Sequence, residues 1–295
     1  MTAALNILQF GSSGQLGTEL TAVLSKDTGV RTTVLSRAEA DFTDPSAIEN
    51  AVLKTGPLDV VINAVAYTAV DRAEQDEALA HRVNAESVEA MARACAARGV
   101  PLIHVSTDYV YDGAKPDPYV ESDATAPLNA YGRTKLAGEN RIRDHLPAHV
   151  ILRTSWIYSA SGRNFMTTML RLGQERDEVR VVDDQHGAPT SARELAQAIG
   201  AIARQITGPA APFGTYHYAD AGETSWCGFA AEIFRQAGLK TRLLPIPASQ
   251  YPTPARRPAN SRLDLTKISR IFGIHPPAWQ VSLARVLAGM KETRR

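Results

Sequence analysis

Leu5-Asn6-Ile7-Leu8-Gln9-Phe10-Gly11-Ser12-Ser13-Gly14-Gln15-Leu16-Gly17 is the stretch from which the fold is read. Its apolar first half is short and ends in a glycine, which marks a buried strand. From Gln15 to Lys26 the spacing turns helical, with Leu16, Leu20, Val23 and Leu24 on one side. Between strand and helix lies Gly11-x-x-Gly14-x-x-Gly17. In such a turn the first glycine permits the tight bend. The second lets backbone approach a pyrophosphate, and the third lets the helix pack against the sheet. The helix N-terminus adds free N–H groups and partial positive charge, so the turn predicts a bound dinucleotide.

The pattern repeats outward. Val30 to Leu35 is a second β-branched run, and Asp44-Pro45 opens a helix with Asp44 as N-cap and Pro45 at the first helical position. Asp59 to Ala64, Leu102 to Val105 and Val150 to Arg153 read as further strands. Glu77 to Arg98 reads as one long helix stopped by Gly99 and Pro101, and Pro127 to His145 as another. This alternation predicts an α/β fold, a Rossmann-type doubly wound parallel sheet with ligands at the carboxyl ends of its strands. After residue 155 prolines and short elements increase, with helices expected over Asn164 to Glu175, Ala192 to Gln205 and Cys227 to Ala237. The expected division is a dinucleotide-binding domain over 1–155, with sheet contributions from later segments. A smaller mixed α/β lobe over 156–295 then binds substrate across a cleft.

Composition excludes several classes. The 295 residues hold 32 basic and 31 acidic side chains with no long single-sign block, so neither nucleic acid nor a membrane surface is an expected partner. Cys95 and Cys227 lie far apart, outside any CxxC pattern, and the seven histidines show no metal spacing. The start of the chain, Met1 to Phe10, has no basic region followed by an apolar run, and cytoplasmic residence is expected.

The second strand points at the adenosine ribose. An acid at its tip would accept a hydrogen bond from the 2′-OH of NADH. The tip instead reads Leu35-Ser36-Arg37, which suits the 2′-phosphate of NADPH, the preferred cofactor. Asp41 keeps NADH open, and Asp41-Phe42 is placed beside the adenine. Past the fourth strand stand two chemical groups. Tyr131 and Lys135, four residues apart on a helix, share a face. A nearby ammonium favours the phenolate, which would let Tyr131 hand its proton to a carbonyl oxygen while hydride arrives at carbon. In Val105-Ser106-Thr107-Asp108 a hydroxyl can donate to the developing alkoxide, and Thr107 is the expected one. Asp108 would either bond a substrate hydroxyl or shape the turn.

The glycine turn, Asn63-Ala64-Val65-Ala66-Tyr67-Thr68-Ala69-Val70-Asp71, Asn84, Ser106-Thr107-Asp108-Tyr109-Val110-Tyr111 and Tyr131-x-x-x-Lys135 together resemble the extended short-chain dehydrogenase/reductase family. Pro127 to Glu139, Arg153-Thr154-Ser155-Trp156-Ile157-Tyr158, Asp184 to Thr190 and Arg257 to Leu263 narrow the likeness to its dTDP-4-dehydrorhamnose reductase branch, almost end to end. The resemblance implies reduction of the C4 ketone of a dTDP-4-dehydro sugar. It makes Tyr131 the proton donor, Lys135 its partner and cofactor ligand, and Thr107 the carbonyl-orienting hydroxyl. It puts Gly14, Gln15 and Leu16 at the pyrophosphate, Ala66 and Thr68 toward the nicotinamide, Ala64 and Val105 among the other cofactor contacts, and Thr107, Asp108 and Trp156 against the sugar nucleotide. A homodimer, and a Mg²⁺ held between subunits with Glu19 and Glu194 as first candidates, also belong to what the resemblance leaves open.

On the substrate side, Trp156 is placed to stack on a sugar or cover the nicotinamide, or to pack in the core. Arg256, Arg257 and Arg262 flank Pro258 and suit a diphosphate, with Arg257 the expected contact; a plain charged loop is the alternative. His186 reads as a loop hydrogen-bonder. Two rivals stand beside the reductase. A GDP-fucose synthase would need a cysteine and a histidine near the sugar, and neither Cys95 nor Cys227 falls there. A regulatory subunit like the beta subunit of methionine adenosyltransferase would bind a partner without turnover.

Overall fold

The computed structural model describes residues 4–208 and 210–292. The first three residues of the N-terminal reading, Pro209 and the last three residues of the expected lobe lie outside them.

Twelve strands and eleven α-helices occur among the described residues. The strands are β1 (Leu5–Phe10), β2 (Val30–Leu35), β3 (Val60–Asn63), β4 (Leu102–Thr107), β5 (His149–Thr154), β6 (Ile157–Tyr158), β7 (Glu178–Val182), β8 (His186–Gly187), β9 (Thr190–Ser191), β10 (Gly214–Tyr218), β11 (Thr224–Ser225) and β12 (Arg242–Ile246). The helices are α1 (Gln15–Leu24), α2 (Pro45–Lys54), α3 (Val70–Ala73), α4 (Glu77–His81), α5 (Ser87–Arg98), α6 (Ala130–His145), α7 (Phe165–Glu175), α8 (Ala192–Gln205), α9 (Trp226–Ala237), α10 (Thr266–Phe272) and α11 (Trp279–Glu292).

Six strands form one parallel sheet in the order β10-β5-β4-β3-β1-β2. The chain runs outward one way through β2 and the other way through β3, so the order reverses beside β1. The carboxyl ends on either side of that reversal leave a crevice. Alternation along each strand divides the core in two. Ile7, Ile62 and Leu152 face α1 and α8, whereas Leu8, Phe10, Val61 and Ile151 face α2, α5 and α6. Each fully buried aliphatic side chain contributes roughly 1.5–3 kcal/mol, so both layers hold the sheet firmly. The helix α8 and the edge strand β10 come from beyond residue 155, yet they build this layer of the molecule. A third core, with Met166, Phe229, Ile233 and Leu283, holds α7, α9 and α11 around the short β12–β7 pair.

Several boundaries differ from the expected ones. The helix expected over Glu77 to Arg98 is broken by a π-helical turn at Arg82–Glu86. There the Asn84 carbonyl comes so close to α6 that a Cβ on Gly138 would lie 2.0 Å from it. The Asn84 side chain accepts from Tyr67 N at 2.8 Å and donates to Thr134 Oγ1 at 3.0 Å. The widened turn brings Asn84 to these partners. The helix expected from Pro127 starts at Ala130, because Asn129 caps it by accepting from Gly132 N at 2.8 Å. The expected caps at Asp44 and Gly99 are present, the latter with φ 64°.

Candidate active site

The crevice is a cleft of about 910 Å³ running from the glycine turn to the start of α6. At its near end Gly11 sits at φ 93°, and a Cβ on Gly14 would meet nothing within 4 Å, so that position opens into the cleft. Gly17 does not line the cleft. A Cβ there would lie 2.5 Å from the Gly11 carbonyl oxygen, so it serves the helix–turn packing. Gln9, fully buried on β1, donates to the Gly11 carbonyl at 2.8 Å and the Gly17 carbonyl at 3.0 Å, bracing the turn from beneath. The open face of Gly14 and the free N-terminus of α1, with Gln15 and Leu16 in the cleft wall, fit a pyrophosphate.

The adenosine end corrects one expectation. Ser36, Arg37, Asp41 and Phe42 all line the cleft. The Ser36 hydroxyl and amide, however, donate to Glu39 at 2.7 and 2.9 Å, so an acid folds back onto the strand tip after all. Those two hydrogen bonds hold the Glu39 carboxyl below its usual range. The turn hides this in sequence because the acid lies three residues past the tip. Arg37 is 81 % exposed and reaches Asp41 at 3.7 Å.

At the far end Thr107, Asp108 and Lys135 are buried. Ala64, Ala66, Thr68 and Val105 line it, as expected, together with those three and the half-buried Tyr131. β4 runs two residues past its expected end and delivers Thr107, whose hydroxyl accepts from Tyr109 N at 3.2 Å and donates to Asp108 Oδ1 at 3.0 Å. The same hydroxyl lies near the Tyr131 phenol and works to lower its pKa. Asp108 is 3 % exposed, and burial pushes its carboxyl up to about 6. Its Oδ2 is buried with no hydrogen-bond partner among the described residues, and Asp108 is among the residues of the cleft wall.

Tyr131 and Lys135 do share a face of α6, but the expected depression of the phenol is not found. Burial raises the Tyr131 pKa, against the opposing influence of the nearby Thr107 hydroxyl, and the Asp108 carboxylate adds to the rise. The Lys135 nitrogen turns into the sheet instead, donating to the Val105 carbonyl at 2.8 Å with His104 Nε2 at 3.0 Å. Burial lowers its pKa to about 8. The phenol is therefore held in its proton-bearing form.

Trp156 stacks on Trp226 with ring centroids 3.6 Å apart, and both line the cleft. Trp156 is the one non-glycine residue with positive φ among the described residues, at 47°, a conformation costing about 1–3 kcal/mol. A Cβ on Gly187 would lie 2.8 Å from its indole, so the glycine gives the ring its seat. Trp226 carries no motif in sequence and lies one residue before the helix expected from Cys227, which in the structure starts at Trp226 itself. Arg257 is not brought to the cleft wall: it pairs with Asp71 at 2.8 Å. Arg163, on the loop after β6 with no motif around it, joins Arg37, Arg72 and Lys135 in the wall. Arg262 likewise pairs with Glu223 at 2.9 Å. His186 joins backbone, its N–H donating to Ala259 O at 2.8 Å. Cys95 and Cys227 are buried thiols away from the cleft. No group of three or more His, Cys, Asp or Glu able to hold a metal occurs among the described residues, and Glu194 is taken by Arg285 at 2.8 Å. No described helix is long and apolar enough to cross a membrane.

A model of the RmlD substrate binding domain matches residues 5–292. The chain belongs to this family. Its relatives span it end to end. A dTDP-4-dehydrorhamnose reductase of Salmonella typhimurium is 43 % identical, covering 98 % of this chain and 99 % of that protein. The Sinorhizobium fredii reductase is 44 % identical over 94 % and 95 %. Among solved structures, the Clostridium acetobutylicum dTDP-4-dehydrorhamnose reductase is 36 % identical and superposes with a TM-score of 0.92, covering 97 % of this chain and 100 % of that one. The Bacillus anthracis enzyme, solved in complex with NADP, is 33 % identical with a TM-score of 0.91 over 97 % and 99 %. The RmlD fold thus accounts for the six-stranded sheet and the short-stranded lobe alike.

Proposed function

We propose that this chain is a dTDP-4-dehydrorhamnose reductase, reducing the C4 ketone of dTDP-4-dehydro-β-L-rhamnose to dTDP-L-rhamnose for nucleotide-sugar synthesis. The observation that carries this reading is the convergence of Thr107, Tyr131 and Lys135 at one end of a cleft whose other end is a pyrophosphate-fitting glycine turn. The full-length identity to reductases supports the substrate.

Residues 1–155 hold most of the cofactor wall, and residues from 156 onward add Trp156, Arg163 and Trp226. Ala66 and Thr68 would line the nicotinamide part of a bound cofactor, which would supply the hydride. Thr107 and Tyr131 hydroxyls fix the ketone oxygen between them, and Tyr131 gives that oxygen its proton. Lys135 holds the nicotinamide ribose. Trp156 and Trp226 exclude water over the sugar, Asp108 Oδ2 accepts from a sugar hydroxyl, and Arg163 meets phosphate. Arg37 makes NADPH the preferred cofactor over NADH. The chain works in the cytoplasm, as a homodimer.

The test is to generate the dehydro sugar in situ and supply NADPH deuterated at its transferable position. Deuterium at C4 of dTDP-L-rhamnose is the expected result. No product while NADPH still binds would overturn the reading.

A further inference from the structure

Beneath Lys135 lies a buried chain of three side chains from three elements. Asn63 on β3 and His104 on β4 are each 0 % exposed, and Lys135 on α6 is 1 % exposed. Asn63 Nδ2 is 3.0 Å from His104 Nδ1, and His104 Nε2 is 3.0 Å from Lys135 Nζ. Buried polar groups of this kind must match donor to acceptor.

The matching has one solution. Val65 N, which can only donate, reaches Asn63 Oδ1 at 2.9 Å. That fixes the amide, so Asn63 presents its NH₂ to His104. His104 Nδ1 must then accept and carries no proton. Burial keeps the imidazole neutral. A neutral ring bare at Nδ1 carries its hydrogen on Nε2, aimed at Lys135. An ammonium has three donors and no acceptor, so it cannot receive that bond. An amine can: its lone pair takes the His104 hydrogen, and one of its own hydrogens goes to the Val105 carbonyl.

We propose that Asn63 and His104 are positioning residues that hold Lys135 as an uncharged amine in the unloaded cleft, Asn63 by fixing the His104 tautomer and His104 by donating its Nε2–H to the lysine nitrogen. This rests on reading Lys135 as the catalytic partner of Tyr131. Protonation turns the His104–Lys135 contact from attraction to a clash of donors. The ammonium must then leave His104 for the cleft, where cofactor phosphates favour positive charge. Charging of Lys135 is thereby tied to occupation of the cleft, and until then Tyr131 keeps its proton.

The other groups facing Lys135 do not supply a compensating free charge. On α6, Tyr131 is neutral and Glu139 is spent on Arg153 at 2.6 Å, Arg143 at 2.7 Å and the Ser106 hydroxyl at 2.6 Å. On β4 the neighbours are His104 and the Val105 carbonyl. From β5, Arg153 pairs with Glu139, and His149 faces both Glu139 and His104 with its own pKa lowered by burial, so it supplies no charge.

Nitrogen-resolved NMR of the histidines in the cofactor-free protein, with His104→Gln for assignment, reads the tautomer directly. The hydrogen on Nε2 is expected; a hydrogen on Nδ1 would overturn the proposal. Carbon-13 labelling of the lysines gives the second reading. Lys135 is expected to titrate about two or more pH units below the exposed lysines, and to move upward when NADP⁺ is added; titration with the others would overturn it. In Asn63→Asp a carboxylate accepts from both Val65 N and His104 Nδ1. The hydrogen should move to Nδ1 and the Lys135 midpoint rise by about a unit or more; neither moving in the folded variant would also overturn it. If that variant does not fold, the wild-type tautomer decides. None of these readings uses turnover. An active reductase with His104 protonated on Nδ1 removes this inference alone, and an inactive protein with the Nε2 tautomer removes the proposed function alone.

Discussion

At the adenosine end of the cleft Arg37 is 81 % exposed and its partner Asp41 43 %. At the nicotinamide end Thr107 is 5 %, Asp108 3 % and Lys135 1 % exposed. The two ends meet the same ligand on different terms. Exposed charges are screened and re-aim at small cost, so each is worth at most about 1 kcal/mol. Buried groups are fixed by their partners before any ligand arrives, and their proton affinities are displaced by desolvation. Selectivity between cofactors should therefore be shallow here, and chemistry steep.

The largest effect belongs to the buried end. Thr107→Val, which keeps shape and removes one hydroxyl, should lower kcat by about 10²-fold or more, with NADPH binding intact by fluorescence titration. A fall of only two- or threefold would place ketone orientation elsewhere. Gly17→Ala comes next, since its methyl would meet the Gly11 carbonyl oxygen at 2.5 Å. A loss of about 1–3 kcal/mol in denaturant unfolding, with weaker NADPH binding, is expected; unchanged stability would mean the turn is not braced as described.

Asp108 sharpens the contrast through pH. Its folded pKa, about 6, lies above its ordinary value, so the folded state binds more protons than the unfolded one between those values. The stability it contributes is full below the unfolded pKa and is lost as pH rises through about 6. Against Asp108→Asn, the wild type should lose stability from pH 4 to pH 7, and only the wild type should show a limb near pH 6 in kcat/KM. Parallel curves would show that this carboxyl titrates normally. The smallest effect is Arg37→Ala, which should change the NADPH/NADH ratio of kcat/KM by less than about tenfold. A hundredfold change would erase the distinction between the two ends.

What the sequence disclosed divides along similar lines. The glycine turn, the Asp44 cap and the Tyr131–Lys135 spacing are local, and each appears in the structure where local rules put it. Sheet contributions from beyond residue 155 were expected, but the particular edge strand β10 was not placed, because it pairs with β5 across an intervening lobe. The π turn at Arg82–Glu86 was not legible either, since one widened turn leaves the apolar period nearly intact. Trp226, Arg163 and Glu39 reach the cleft or its rim through turns and tertiary contacts, without a motif. His104 did leave a trace, as a polar residue within the apolar run of β4, but its partners sit on β3 and α6. The expected role of Lys135 in lowering the Tyr131 pKa failed for the same reason: spacing showed a shared face, whereas burial and His104 decide where the nitrogen points.

The most direct test follows NADPH absorbance with dTDP-4-dehydro-L-rhamnose in wild type and Tyr131→Phe. Turnover should fall by about 10²–10⁴-fold in the variant while NADPH affinity stays within a fewfold of wild type. Near-wild-type kcat in Tyr131→Phe would contradict the assignment of the proton donor, and with it the claim that the buried end of the cleft performs the reduction.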